Sequence, residues 1–247
     1  ATVCDVMPIR KLNRLVAITS LKEFDINKSP IIKRLYELTN KKKNIDIEDL
    51  SFLIGPILNA GGRLGKSSYA VELLSSNNEK IINQKLSKLI ELNDKRKKIE
   101  QNILNNIDYE KIKKENEEIV FYYNPIINEG LIGIIAARLK DYFNKPAIVI
   151  TNSDDLLKGS ARSIENYNIG RAIMNSLNNN IILNGGGHSA AAGFTLKKEN
   201  LFTFKDFLKT DIKKRNNSIN SVLNFDAEIS SSGFNKKFFD EIKKIGP

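Results

Sequence analysis

The chain has 247 residues, is 41% hydrophobic, and carries 39 basic against 29 acidic side chains, a formal charge of +10. That length allows one or two cored domains; the single cysteine, Cys4, excludes an internal disulfide and a cysteine-built zinc site. No run approaches the ~18 apolar residues of a membrane span, and no signal peptide is visible.

In chain order, residues 1–10 are apolar around one acid, Asp5, and Pro8 bars a helix there. Asn13 is positioned to cap a helix reaching about Phe24, with Leu15, Ile18 and Leu21 at helical spacing. Ser29-Pro30 opens a second helix through Leu38 in the favoured cap-then-proline order. A third is expected from Asp46 towards Ile54, followed by a glycine-rich loop, Gly55 to Gly65, and a short helix ending near Leu74. Residues 79–115 lack Gly and Pro and repeat Ile and Leu at helical intervals on either side of a polar waist, Asn93 to Lys98. They predict one long helix, packed at both ends and solvated at its middle.

Beyond it the pattern alternates between strand and helix, which predicts an α/β domain with its own core. Strands are expected at 119–123, 147–151, 157–164 and 193–196, and helices at 130–143, 168–177 and 201–215. Gly185-Gly-Gly-His188 is expected to be a loop whose glycines need positive φ or close backbone approach. A last strand at 218–229 and a helix at 235–245 look like the start of a truncated further unit. Ala1 at one end and Ile245-Gly-Pro247 at the other read as a stretch cut from a longer chain.

Three polar segments combine small or glycine backbone with a cationic or hydrogen-bonding side chain: Asn59-Ala-Gly-Gly-Arg63, Gly159-Ser-Ala-Arg-Ser163 and Gly185-Gly-Gly-His188. Guanidinium forks suit phosphate oxygens, and bare glycine N–H groups add unhindered donors. Any one arginine alone is better explained by a structural salt bridge; the three segments together favour an anion site. The net charge agrees with this but is spread along a chain rich in Lys, Asn and Ile, so it permits nucleic acid without demanding it. Asp5 either caps a helix or binds a hard divalent cation through oxygen, and spacing alone favours the cap. There is no Ser-His-Asp order, Walker loop or dinucleotide fingerprint.

Taken in order, ATVCDVMPI, GPILNAGGRLGKSSYAVELL, EGLIGIIAARLKDYFNKPAIVI, KGSARSI and GGGHSAAAGFTL resemble the RecJ family of single-strand-specific 5′→3′ DNA exonucleases, within the DHH phosphoesterase superfamily. The resemblance implies an α/β protein in four parts. Residues 1–78 would be the C-terminal part of a DHH domain and 79–115 a connecting helix. Residues 116–217 would be a mixed-sheet DHH-associated domain that holds substrate, and 218–247 the start of an OB-fold. It implies a hydrolase that releases mononucleotides by two-metal chemistry, with Mn²⁺ or Mg²⁺, in DNA repair and recombination. The implied partners are single-stranded DNA with a 5′ end and a single-strand-binding protein or helicase. The implied setting is a cytoplasmic monomer with no membrane association.

By the same resemblance Asp5 becomes a metal ligand, overriding the preference from spacing. Arg63, Ser160 and Arg162 match positions that hold a terminal 5′-phosphate, with Asn59 and Ser163 beside them as substrate contacts. Gly186, Gly187 and His188 match a loop that approaches the nucleotide backbone near the metals, His188 with a catalytic role through substrate contact. The family's Asp-x-Asp and Asp-His-His motifs do not occur here, and Ile126-Ile-Asn-Glu129 stands where the family usually has a histidine and an aromatic. Two alternatives remain: a small DHH phosphodiesterase for cyclic dinucleotides or short oligonucleotides, and a non-catalytic relative that binds nucleic acid or a replication partner.

Overall fold

A computed structural model describes residues 2–4, 7–41, 44–215 and 225–246. The chain divides into two compact units. The first comprises 1–60, 68–91 and 220–247; the second comprises 61–67 and 92–219.

The first unit is helical. It contains α1 (Lys11–Glu23), α2 (Pro30–Leu38), a π-helical turn (Asp49–Ile54) that runs into α3 (Gly55–Arg63), whose last three residues belong to the second unit, and α4 (Ser68–Leu74). It also holds the start of α5 (Glu79–Asn105), and α10 (Lys236–Ile245). Ser29 caps α2 as expected, its hydroxyl accepting from the Ile32 amide, and Pro30 opens the helix. Asn13 does not cap α1; it lies inside the helix and donates its side-chain amide to the Pro8 carbonyl at 3.0 Å. Leu35, Ile54, Ile57, Leu73, Ile82, Leu86 and Leu89 form the core. Each such side chain, fully buried, stabilises the unit by about 1.5–3 kcal/mol.

Two expectations about this part of the chain are corrected. The segment from Gly55 is helical as far as Arg63, because the π-helical turn before it delivers the chain already wound. The helix then ends on Gly65 at φ 76°, with the Lys66 amide donating to the Gly61 carbonyl at 2.7 Å. This is the six-to-one closure that a left-handed glycine permits. The long helix is two: α5 stops at Asn105, and α6 (Tyr109–Glu115) restarts with the Asp108 carboxylate accepting from the Lys111 amide. The polar waist is not uniformly solvated either, since Asn93 is buried and Arg96 half-buried.

The second unit is a layered α/β domain. Its strands are β1 (Val120–Tyr123), β2 (Ala147–Ser153), β3 (Leu156–Arg162), β4 (Asn184–His188) and β5 (Ala191–Lys197), in the order β1-β2-β3-β5-β4. The β1–β2 pair is parallel and the others are antiparallel. Strand alternation sorts the core into two layers. Ile148, Ile150, Leu157, Ala161, Ala192, Phe194 and Leu196 face one layer, with residues of α8 (Ile169–Asn178) and α9 (Leu201–Arg215). Ala147 and Val149 face the other, with α7 (Glu129–Phe143), α6 and the end of α5. Asn128 caps α7 by accepting from the Gly130 amide, and Leu131, Ile135 and Leu139 form its fully buried stripe.

Gly185–Gly187, expected as a loop, forms most of strand β4. None of these glycines has positive φ; the close-approach alternative applies instead. A Cβ at Gly185 would lie 2.8 Å from side-chain carbons of Ile173 and Ile182, and one at Gly187 would lie 2.2 Å from the Ala191 carbonyl. Of the strand expected over 218–229, residues up to 224 lie outside the described residues, and 225–229 are not in a strand.

Candidate nucleic-acid interface

Helix α7 packs against β1, β2 and β3. The continuation of that sheet face over β5 and β4 is partly open, and strand register determines what it displays. One row across the three strands is Lys158, Thr195 and Asn184; the next is Ser160, Gly193 and Gly186; the third is Arg162, Ala191 and His188. Rows two residues apart are separated by about 6.8 Å along the strands. The centre of this grid is bare backbone: a Cβ on Gly186 would meet nothing within 4 Å, and one on Gly193 would meet only the Gly159 carbonyl, at 3.9 Å. A flat floor of glycine and alanine, with cationic and hydroxyl groups along it, admits an extended polyanion to close range.

The cationic end of the grid is built around the first turns of α7. Gly130 packs so tightly on the end of α3 that a Cβ there would lie 2.3 Å from the Arg63 carbonyl oxygen. That approach lets the Arg63 Nη1 donate to the Gly130 carbonyl at 3.0 Å. One turn on, the Cβ position of Gly133 is 3.2 Å from both the Ser160 hydroxyl and the Arg162 Nη2. Arg63, Ser160 and Arg162, far apart in sequence, thus converge on one helical turn. Arg162 also donates from Nη1 to the Ala161 carbonyl at 3.0 Å.

The charges do not balance. Glu100 of α5 is the acid of this group, and both its oxygens are occupied: Arg96 Nη1 lies 3.1 Å from Oε2, and Arg138 Nε lies 3.0 Å from Oε1. Among the described residues neither Arg63 nor Arg162 has a carboxylate within ion-pair distance. Burial, and then the Arg96 and Arg162 guanidiniums, push the Arg63 pKa down, against the opposing pull of Glu100. Burial likewise depresses Arg162. Both arginines stay protonated, because the group's ordinary value lies so high. Half-buried cations that repel each other and lack a counter-ion are stabilised by an incoming anion.

Glu100→Gln is therefore expected to destabilise the second unit by about 3–5 kcal/mol in denaturant unfolding, the usual cost of leaving a buried pair's partner unmatched. Added phosphate should restore part of that loss by binding the freed cations. An unchanged unfolding midpoint would show that Glu100 is not the counter-charge of this cluster.

His188 ends β4 at a two-residue turn, Ser189-Ala190, into β5. The turn is pinned by the Ser163 amide on the Ala190 carbonyl (2.9 Å) and the Ile169 amide on the Ser189 carbonyl (3.2 Å). Gly170 of α8 lies against the His188 backbone, where a Cβ would come within 2.7 Å of its carbonyl. The His188 Nδ1 accepts from the Ala190 amide at 3.4 Å, and the ring is exposed. Ser163 is not brought to the grid: it is buried, and its hydroxyl donates to the Tyr167 carbonyl at 2.6 Å. Gly187 points its missing side chain at Ala191 and Ala192 and serves packing. Asn59 is exposed on α3, four residues before Arg63 and within the first unit.

Asp5 lies outside the described residues. Among the described residues no three His, Cys, Asp or Glu side chains come together to hold a metal, so they do not by themselves fit the two-cation centre that the resemblance implies. No described helix is long and apolar enough to cross a membrane.

On sequence grounds Glu100, Arg96, Gly130 and Lys158 carry no site role, and Gly133 stands out only as one of the small residues on a side of the helix over 130–143. The Arg96–Glu100 spacing of four in an otherwise polar run was the one available signal. The two glycines gave none, because their neighbours come from other elements.

Residues 116–214 match the model of the DHHA1 domain. The chain is 32% identical to the single-stranded-DNA-specific exonuclease RecJ of Haemophilus influenzae, over 99% of this chain and 45% of that protein. It is 34% identical to RecJ of Salmonella typhimurium, over 83% of this chain and 37% of that protein. Among solved structures, Thermus thermophilus RecJ in complex with Mg²⁺ superposes with a TM-score of 0.73 at 23% identity, covering 86% of this chain and 33% of that one. The chain therefore spans less than half the length of these relatives.

Proposed function

We propose that this chain, which carries a DHHA1 domain and is homologous to part of RecJ, supplies the strand-holding part of a single-strand-specific 5′→3′ DNA exonuclease. The observation that carries this is the convergence of Arg63, Ser160 and Arg162, two of them cations without a counter-ion, at one end of a bare-backbone sheet face. In this reading Arg63 and Arg162 grip the terminal 5′-phosphate through charge-assisted hydrogen bonds, and the Ser160 hydroxyl adds a neutral donor. The strand runs over Gly193 and Gly186, with Lys158 one row beyond Ser160 available to a later phosphate. Lys158 is paired with Glu129 at 2.6 Å in the free protein, but an exposed pair of this kind is worth little and exchanges readily.

His188 is assigned to the nucleotide backbone as a substrate contact. Holding the terminal phosphate at a fixed position relative to the cleaved bond imposes polarity and single-nucleotide stepping. The described residues bind and orient. The divalent cations that the relatives' chemistry calls for would rest on Asp5 and on ligands outside this ligand-poor set. The division into a DHH part, a connecting helix, a substrate-binding domain and the start of an OB-fold, and the link to repair and recombination, belong to the same reading.

The test is fluorescence anisotropy of the purified 247-residue chain with a labelled single strand. The expected result is binding that weakens steeply with salt, as phosphate neutralisation requires, without nucleolysis in Mn²⁺ or Mg²⁺. Robust metal-dependent degradation, or no salt-dependent binding, would contradict the assignment.

A further inference from the structure

A cavity lies at the β1 edge of the sheet, two strands from β3. It has a volume of about 670 Å³ and is walled by β1, α6, α7 and α9, all within the second unit. Its cations are unevenly matched. Lys209 is paired with Glu117 at 2.6 Å. Lys145 donates only to neutral oxygens, Asn116 Oδ1 at 3.2 Å and the Glu117 carbonyl at 2.9 Å. Lys205 is half-buried and sits 5.6 Å above the Phe121 ring. No carboxylate lies within ion-pair distance of Lys145 or Lys205 among the described residues. Burial, and then Lys209, hold Lys205 below the ordinary lysine pKa, against the opposing pull of Glu115 in the same cavity wall. A ligand carrying negative charge would relieve both.

The rest of the wall is suited to a flat ring. Phe121 and the largely exposed Tyr142 line the same cavity. Among the described residues no strand pairs with the outer edge of β1. The amides of Val120 and Asn124 point into the sheet, donating to Pro146 and Ile150, so alternation turns the amide and carbonyl of Phe121 towards the cavity. Two cations without an ion-pair partner, the exposed Tyr142 ring and free backbone groups form the complement of a nucleotide: phosphate, base face and base edge. The volume falls within the range of small-molecule sites. The ordinary alternative is that the lysines only shield a strand edge from pairing with another chain.

We infer that this cavity is a second nucleotide-phosphate site, separate from the arginine cluster, with Lys205 and Lys145 on the phosphate and Tyr142 against the base. The nucleotide is either free or part of a strand that continues beyond the sheet face. The site does not depend on the function proposed above, and the experiment separates the two.

Isothermal titration of the 247-residue chain with dAMP, repeated with Lys205→Gln, Lys145→Gln and Arg162→Ala, tests it. Lys205→Gln should weaken one class of dAMP binding about tenfold or more, the loss of a hydrogen bond to a charged partner, while leaving the unfolding midpoint in place. Lys145→Gln should act on the same class, and Arg162→Ala should leave that class intact. Deoxyadenosine should bind far more weakly than dAMP. Competition by a long single strand but not by a dinucleotide would identify the nucleotide as part of a strand; competition by neither would identify a free mononucleotide. If Lys205→Gln and Lys145→Gln leave every class of dAMP binding unchanged, the lysines only shield the edge and the inference is overturned. If the lysine variants weaken one class of dAMP binding and Arg162→Ala weakens no class at all, the reading of the arginine cluster fails and this site stands.

Discussion

Arg162→Ala is expected to erase discrimination between 5′-phosphorylated and 5′-hydroxyl single strands, weakening binding of the phosphorylated strand about 30-fold or more. The hydroxyl strand should lose little. The size of the effect follows from where the guanidinium sits. It is half-buried beside Gly133, shares that position with the Ser160 hydroxyl, and has no carboxylate to satisfy. Arg162→Lys should recover only part of the affinity, because an ammonium keeps the charge but loses the planar fork. The opposing view is that Arg162 is a structural cation. In that case the alanine variant would unfold earlier while still preferring the phosphorylated end. Competition binding with the two strand types, run beside thermal unfolding, separates the outcomes.

The second large effect is expected at a residue with no side chain. Gly130→Ala would place a carbon 2.3 Å from the Arg63 carbonyl oxygen and within 2.8 Å of the Arg63 Cα and carbonyl carbon. Backbone stands on both sides, so no rotamer change relieves the clash. Overpacking of this kind costs about 1–3 kcal/mol, and the upper end is expected here. For a chain of this length that lowers the unfolding midpoint by roughly 6–12 °C. The end-phosphate preference should fall with it, because Arg63 loses the Gly130 carbonyl that orients it at 3.0 Å. Gly186→Ala is the contrast. Its Cβ would meet nothing within 4 Å, so stability should hold. The added methyl would stand on the open floor, so strand binding should weaken. Equal stability losses in the two variants would show that the floor and the α3–α7 junction are not distinct in the way the geometry implies.

What the sequence revealed, and what it hid, follows from how local each determinant is. The caps at Ser29, Asn128, Asn168 and Asn235 are local, and the helices they start lie within a residue or two of the expected positions. The apolar run at 147–151 marked a strand buried on both faces, and β2 is one, with Ile148 and Ile150 in one layer and Ala147 and Val149 in the other. Glycine misled the same reasoning twice. Gly61 and Gly62 lie in a helix wound in advance by the turn before it, and Gly185–Gly187 lie in an edge strand. In both places the fold uses the missing side chain or tolerates it, and neither choice is visible in a propensity. Residue type alone groups Asn59-to-Arg63, Gly159-to-Ser163 and Gly185-to-His188 as anion-binding segments. Strand register then separates Ser160 and Arg162, which share a face with His188, from Ser163, whose hydroxyl is spent on Tyr167. Register is a non-local property, set by the pairing of strands about 30 residues apart. So are the close approaches of Gly130 and Gly133 and the counter-charge of Glu100.

The central claim is that the unmatched arginines at the first turns of α7 bind a terminal phosphate. The most direct measurement is the affinity of the unmodified 247-residue chain for one single strand bearing either a 5′-phosphate or a 5′-hydroxyl, at fixed salt. The phosphorylated strand should bind about tenfold or more tightly, as charge-assisted hydrogen bonds to a terminal phosphate require, and added inorganic phosphate should narrow the gap. Equal affinities, unmoved by inorganic phosphate, would contradict the account.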